Sequence, residues 1–211
     1  MAPASDVPLL EVRGLCFSWP DLPLFQDLNL RIPAGVSMVC GEESSGKTTL
    51  LRLLSGDLQA DQGAIVWHHA GSGATPPDTH QPVFRTEPRS NRLDAVSARA
   101  WLSSLSARFP GFNAPLALEL ANGFALEPHI DKPMYMLSAG SKRKVWLCAA
   151  FAAGTALTLI DEPFAALDLA AVRFLKELLL EASQQPNRVW LLADHAPPEG
   201  LALRSVQVLG D

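Results

Sequence analysis

The stretch that most constrains the fold lies at residues 40–49 and reads Cys-Gly-Glu-Glu-Ser-Ser-Gly-Lys-Thr-Thr. It fits G-x-x-x-x-G-K-[ST], the pattern of a phosphate-binding loop. An apolar run at 36–40 predicts a buried strand before the loop, and the residues from Lys47 onward predict a helix after it. Glycines allow a tight ring of inward-pointing amides, and a helix start adds its positive dipole end. The stretch therefore predicts a site for a phosphorylated ligand between a strand and a helix.

The chemistry of such a loop assigns roles to its residues. We expect Lys47 to reach the β- and γ-phosphates of a nucleotide, and the Thr48 hydroxyl to bind Mg²⁺. The other loop residues predicted to bind the nucleotide are Gly41, Ser44, Ser45, Gly46 and Thr49. The alternative is a glycine turn with an incidental lysine, and the flanking strand and helix patterns argue against it.

A second motif, Leu-Thr-Leu-Ile-Asp-Glu-Pro, occupies residues 157–163. It predicts an apolar strand that carries two carboxylates to its carboxyl end, where ligands bind in open α/β sheets. Asp161 is suited to hold Mg²⁺, directly or through water, and Glu162 to polarise the water that attacks a γ-phosphate. An acidic turn after a core strand is the alternative, and the presence of a phosphate-binding loop disfavours it.

Composition narrows the function classes further. The 211 residues are 48% hydrophobic and 18% charged, which suits a globular domain or two with a sizeable core. The net charge of −5 offers no basic surface, so we expect no nucleic-acid partner. The first residues lack a basic segment and a long apolar run, so no signal peptide is predicted. The three cysteines lack metal-type spacing and are expected to be small buried hydrophobes.

Strand and helix patterns alternate along the chain, which predicts an α/β fold with a mostly parallel sheet. Two helical patterns, Leu93–Phe109 and Leu116–Phe124, interrupt that order and predict an inserted helical subdomain at about 88–136. Residues 70–92 are rich in glycine and proline, and only Val83–Arg85 reads as a strand there. The apolar run at 145–160 is shorter than a membrane span needs, so a buried helix followed by a buried strand is expected.

The pentapeptide Leu-Ser-Ala-Gly-Ser at 137–141 lies between the two motifs. In this order of motifs, it resembles the LSGGQ signature of the ATP-binding cassette family, and the resemblance covers nearly the whole chain. Ala139 and Ser141 replace the usual glycine and glutamine. The resemblance implies a phosphate-loop NTPase with a mostly parallel core sheet, an N-terminal antiparallel β subdomain and the helical insertion. Residues at about 1–87 and 137–211 would form the core and the β subdomain.

The resemblance also implies roles for single residues. Ser138 and Gly140 would present donors to a γ-phosphate, and His195 would contact the γ-phosphate. Asp168 would couple two nucleotide sites across a dimer, or cap the helix that follows it. Trp19 lies where the family places an aromatic side chain that stacks on adenine. With these assignments the predicted catalytic residues are Glu162, Lys47 and His195.

One departure from the family concerns the glutamine expected after the strand at 83–85. No glutamine lies there, and Gln81 comes too early. Glu87 or Thr86 is the candidate substitute, which makes Glu87 a predicted metal ligand beside Thr48 and Asp161.

The implied function is that of the ATPase subunit of a membrane transporter, with ATP and Mg²⁺ as ligands. A second ATPase subunit, most simply a copy of this chain, would complete each site, and a transmembrane permease subunit would be driven by the cycle. Such a protein lies in the cytoplasm against the inner face of the membrane. Short export cassettes, such as the haem-exporter type of cytochrome c maturation, are the subtype suggested.

Two alternatives remain at this point. One is a soluble cassette that acts as an assembly or mechanical factor, as in iron–sulfur assembly. The other is a nucleotide-binding regulatory module with little hydrolysis, which the missing glutamine and the altered signature suggest.

Overall fold

The computed structural model describes residues 9–68 and 83–210. Gln81, most of the glycine- and proline-rich stretch and the start of the chain, on which the signal-peptide prediction rests, lie outside these ranges. The elements in chain order are β1 (Leu10–Trp19), β2 (Leu22–Ile32), β3 (Gly35–Cys40), α1 (Lys47–Leu54), β4 (Gln62–Trp67), β5 (Val83–Arg85), α2 (Ala98–Ser104), α3 (Ala114–Gly123), α4 (Ala139–Ala152), β6 (Leu157–Asp161), α5 (Leu169–Ala182), β7 (Val189–Asp194) and β8 (Val206–Val208).

The strands form two sheets. Five of them form a parallel sheet in the order β5-β6-β7-β3-β8, and three form an antiparallel sheet in the order β2-β1-β4. The central strands β3, β6 and β7 are almost continuously apolar and buried, as strands covered on both faces must be. The predicted α/β class, with a parallel and an antiparallel sheet, is confirmed.

The parallel sheet separates two hydrophobic clusters. Along β7, Trp190 and Leu192 belong to one cluster, whereas Leu191 and Ala193 belong to the other, because successive side chains of a strand point to opposite faces. The first cluster contains the buried residues of α2 to α5, and the second contains those of α1 and the antiparallel sheet. The helices at 98–123 thus share their core with the parallel sheet, and the division of the chain into subdomains remains a prediction.

The first hairpin differs from the expected one. The sequence Pro-Asp-Leu-Pro at residues 20–23 predicts a four-residue turn, with a strand from Leu24 to Ile32 after it. In the structure β2 instead begins at Leu22, and Pro23 pairs with Ser18. A proline cannot donate to a ladder, but β2 is an edge strand and needs no partner on its outer side. The tighter turn is possible because Asp21 adopts a left-handed φ of 67°.

The helix predicted from Leu93 is also shorter than expected. Two turns precede it, and α2 starts only after Ser97, whose hydroxyl accepts a hydrogen bond from the Ala100 amide at 3.2 Å. This N-cap sets the start of the helix more strongly than the hydrophobic period does.

The apolar run at 145–160 is divided as predicted. Helix α4 ends at Ala152, the chain turns at Gly154, and β6 begins at Leu157. In the part of the chain that the structure describes, no helix combines the length and apolarity that a membrane crossing requires.

Candidate active site

The phosphate-binding loop connects β3 to α1, as the sequence predicts. Gly46 precedes the helix with φ 94°, and a Cβ atom there would lie 2.7 Å from the Phe25 ring, so only glycine fits. The Lys47 ammonium donates hydrogen bonds to the carbonyl oxygens of Gly41 and Glu42, both at 2.7 Å. Ser45 Oγ lies 3.4 Å from the same nitrogen. The lysine side chain therefore spans its own loop.

A hydrogen bond joins the loop to the second motif. Thr48 Oγ1 donates to Asp161 Oδ2 at 2.6 Å, across 113 positions of sequence. The contact forms because β3 and β6 flank β7 in parallel, so their carboxyl ends meet at one edge of the sheet. Burial raises the pKa of Asp161, the Thr48 hydrogen bond opposes that rise, and the nearby Glu162 carboxylate adds to it.

Glu162 is held in an unusual conformation by contacts that the sequence did not predict. Its φ is 46°, and its amide donates to the Ala193 carbonyl at 2.8 Å. Its carboxylate forms a close ion pair with Arg89. From α4, Arg143 donates to the Asp161 carbonyl at 3.1 Å and to the Glu162 carbonyl. Neither arginine belongs to a motif, and an arginine within a helical pattern ordinarily indicates an exposed position, so no sequence signal identified them.

These groups border a cleft of about 540 Å³. Nine predicted site residues line it: Trp19, Ser44, Gly46, Lys47, Thr48, Thr49, Asp161, Glu162 and His195. Arg89 and Asp194, which were not predicted, line the same cleft. A phosphate loop, the carboxylate residues Glu43, Asp161, Glu162 and Asp194, an arginine and a histidine thus line one space large enough for a small ligand.

The two aromatic residues of this set lie at its border. Trp19 is 37% exposed, and its ring meets that of Phe17 edge to face at a centroid distance of 5.1 Å. His195 is exposed, and its amide donates to Asp194 Oδ1 at 2.8 Å. Stacking of adenine on Trp19 and contact of His195 with a phosphate remain predictions.

Ser138, Gly140 and Asp168 do not line the cleft. Ser138 Oγ accepts a hydrogen bond from the Ser141 amide at 3.1 Å and caps α4. A Cβ atom at Gly140 would lie 2.3 Å from the Ala166 carbonyl oxygen, so this glycine permits close packing of two loops. Asp168 caps α5 through the Ala171 amide at 2.8 Å.

Glu87 lies on an adjoining cleft of about 440 Å³, which Thr48 and Asp161 also line. Its carboxylate forms a close ion pair with Arg85. Thr86 Oγ1, the other candidate for the missing glutamine, lies 3.4 Å from the Asp161 amide nitrogen. Within residues 9–68 and 83–210, no three His, Cys, Asp or Glu side chains are grouped as a metal site.

The strand, phosphate loop and helix, beside a neighbouring strand that ends in twin carboxylates, define the class of phosphate-loop NTPases. The sequence profile of the family described as "ABC transporter" matches residues 25–165. The chain therefore belongs to the ABC transporter family, as an ATP-binding subunit.

Two named relatives of this chain are also ATP-binding proteins. The chain is 31% identical to the cytochrome c biogenesis ATP-binding export protein CcmA of Salmonella typhi, over 92% of this chain and 93% of that protein. It is 30% identical to the taurine import ATP-binding protein TauB of Yersinia pestis, over 95% of this chain and 79% of that protein.

Solved structures agree on the fold. An ATP-binding subunit of an ABC transporter superposes with a TM-score of 0.72 at 22% identity, covering 88% of this chain and 79% of that one. The protein cbiO1 of Clostridium perfringens superposes with a TM-score of 0.64 at 21% identity, covering 90% and 80%.

Proposed function

We propose that this chain binds Mg²⁺-ATP in the 540 Å³ cleft and hydrolyses it, with Glu162 as the general base. The observation that carries the proposal is the 2.6 Å hydrogen bond between Thr48 and Asp161. It brings the phosphate loop and the twin carboxylates together, so a triphosphate held by the loop would have its terminal phosphate near Glu162.

ATP binding would rest on contacts of three kinds. The loop amides and the start of α1 would bind the phosphate oxygens, and the Lys47 ammonium would neutralise part of their charge. Trp19, exposed at the border of the cleft, would stack on the adenine ring. His195, which lines the same cleft, would contact the γ-phosphate.

Thr48 and Asp161 would hold the metal ion. They supply a hydroxyl and a carboxylate oxygen, which are ligand types that suit Mg²⁺. A Mg²⁺ ion held there would supply positive charge to offset the negative charge on the phosphate oxygens. Glu87 would reach the ion only after leaving its ion pair with Arg85.

In the chemical step, the Glu162 carboxylate would accept a proton from a water molecule while the oxygen of that water attacks the γ-phosphorus. The bond between that phosphorus and the oxygen of the β-phosphate then breaks, which leaves ADP and inorganic phosphate. For this step, Glu162 must exchange its contact with Arg89 for one with the water.

Two copies of the chain would complete the active unit. Ser138 and Gly140, which lie outside the cleft of their own chain, would face the nucleotide of the second copy, and Asp168 would lie between the two sites. The named relatives are ATP-binding proteins of an importer and an exporter. We infer that this subunit likewise drives a transmembrane permease from the inner face of the membrane.

Glu162→Gln tests the assignment. The amide cannot accept the proton, so we expect phosphate release to fall at least 100-fold, while the ATP Kd stays within about threefold. Size-exclusion chromatography with Mg²⁺-ATP should then show a stable dimer. Glu181→Gln is the matched control, because it removes the same charge from an exposed position near the end of α5. Phosphate release by Glu162→Gln at the parent rate would show that Glu162 is not the base.

A further inference from the structure

Arg143 of α4 is a charged side chain buried inside the fold. Only 7% of the residue is exposed, and its Nε–H is buried without a hydrogen-bond partner. Burial lowers the pKa of its guanidinium, and the carboxylates of Glu162, Asp161 and Asp194 oppose that shift. Burying a guanidinium with an unmet donor destabilises a fold, so its contacts need another explanation.

Those contacts converge on the turn that carries the proposed base. One terminal nitrogen, Nη1, donates to the carbonyl oxygen of Asp161 at 3.1 Å and to that of Glu162. The other, Nη2, lies 3.9 Å from Glu162 Oε2. A rigid planar guanidinium can hold two carbonyls and approach a carboxylate at once, which a lysine ammonium cannot do with the same geometry.

The turn needs such support. Glu162 has a φ of 46°, and a residue with a side chain in the left-handed region stores about 1–3 kcal/mol of strain unless its surroundings impose that conformation. The amide of Glu162 is held by Ala193 at 2.8 Å, and its carbonyl by Arg143. The carboxylate direction therefore depends on a backbone conformation that Arg143 helps to impose.

We propose that Arg143 is a positioning residue for hydrolysis, which acts through the backbone of Asp161 and Glu162 to aim the Glu162 carboxylate. This inference rests on the proposed function of Glu162 as the base. It predicts that loss of Arg143 slows the chemical step and leaves ATP binding intact, because the loop, Lys47 and Thr48 are not altered.

Arg143→Met fills the same volume without the charge or the donors. We expect kcat for ATP hydrolysis by the full chain to fall about 10- to 100-fold, since a misplacement of about 1 Å can cost 100-fold, while KM changes less than threefold. Arg143→Lys should recover only part of kcat. The melting temperature of Arg143→Met should stay at or above the parent value, because an apolar isostere relieves the buried charge, and Glu162 keeps Arg89 as its partner.

Arg188→Met is the matched control. Arg188 is a half-buried arginine that also donates to a strand-side carbonyl, that of Thr155 at 2.8 Å, and stacks on Trp190. It lies at the amino ends of β6 and β7, opposite the cleft. We expect this variant to lower the melting temperature and leave kcat per folded molecule unchanged.

A double variant separates positioning from a general structural role. If Arg143 acts through Glu162, adding Arg143→Met to Glu162→Gln should not reduce the residual hydrolysis further. A further tenfold loss in that background would overturn the proposal. A parent-like kcat in Arg143→Met or Arg143→Lys, while Glu162→Gln is inactive, would also overturn it.

If Arg143→Met fails to fold, the same measurements are made on Arg143→Lys. A parent protein that releases no phosphate, or Glu162→Gln at the parent rate, would instead refute the proposed function itself.

Discussion

Two groups of residues in this molecule differ in how far along the sequence their side-chain hydrogen bonds reach. The cleft group consists of Lys47, Thr48, Asp161 and Glu162, and its central bond joins residues 113 positions apart. The cap group consists of Ser138, Gly140 and Asp168. Ser138 and Asp168 each accept a hydrogen bond from an amide three positions away, that of Ser141 or Ala171, and Asp168 also accepts one from Lys144, 24 positions away.

The difference separates the residues that one chain brings together by itself from those that the proposed dimer would bring to the site. The cleft group is assembled by parallel strands whose ends meet at one sheet edge, so it is complete within a single subunit. The cap group begins two helices, and its atoms lie outside the cleft. In the arrangement proposed above, the amino-terminal ends of those helices would face a second copy.

The largest effect is expected for Lys47→Ala. Removing a charge-assisted contact to phosphate should weaken ATP binding by about 2–5 kcal/mol, or roughly 30- to several-thousand-fold in Kd. Isothermal titration calorimetry of the single chain with Mg²⁺-ATP measures this directly. Lys176→Ala is the control, since Lys176 also donates to a backbone carbonyl, that of Glu199 at 2.6 Å, but lines none of the clefts described. Equal Kd values for the parent and Lys47→Ala would show that Lys47 does not contribute to ATP binding.

A smaller and different effect is expected for Ser138→Ala. If this hydroxyl serves the nucleotide of a second copy, dimer formation and hydrolysis should fall about 10- to 100-fold, the value of one hydrogen bond to a charged group. The ATP Kd of the single chain should not change.

The control for that variant is Ser97→Ala, which removes the N-cap of α2. Both variants lose about 1 kcal/mol of helix stability, so a shared fall in melting temperature cancels in the comparison. Weaker ATP binding to the single chain in Ser138→Ala would mean that Ser138 binds the nucleotide of its own chain. The proposed difference between the cleft group and the cap group would then be wrong.

The smallest effect is a pH dependence of opposite sign in the two groups. Burial raises the pKa of Asp161 above its ordinary 3.8, so the parent loses stability as pH rises from 3.8 to the raised value. Hydrogen bonds from Lys144 and the Ala171 amide lower the pKa of Asp168 below its ordinary 3.8. The ionised carboxylate therefore stabilises the folded protein fully above pH 3.8, and this stabilisation is lost as the pH falls through the lowered pKa.

Urea unfolding of the nucleotide-free protein tests both signs. Asp161→Asn should be more stable than the parent at pH 7, and that advantage should shrink toward pH 3. Asp168→Asn should be less stable at pH 7, and that deficit should shrink over the same range. Changes of the same sign in both variants would mean that the two carboxylates have similar surroundings.

The order of strands and motifs was predictable because it depends on local pattern. The apolar runs of β3, β6 and β7 are nearly continuous, and the loop and carboxylate motifs follow two of them directly. The start of α2 and the position of Pro23 were predicted wrongly, because a cap and an edge location outweighed periodicity. Arg89 and Arg143 could not be predicted, since their partners are 73 and 19 positions away and no spacing connects them.

Local patterns predict that a phosphate-binding loop follows a buried strand and that two acids end another strand, and they carry the resemblance to the ABC transporter family. The contacts between Thr48 and Asp161, the two arginines beside Glu162 and the location of Ser138 and Asp168 outside the cleft are visible only in the folded chain. A motif consists of neighbouring residues, so it can be recognised in the sequence. The partners of a side chain depend on strand order and helix packing, because these bring distant residues together.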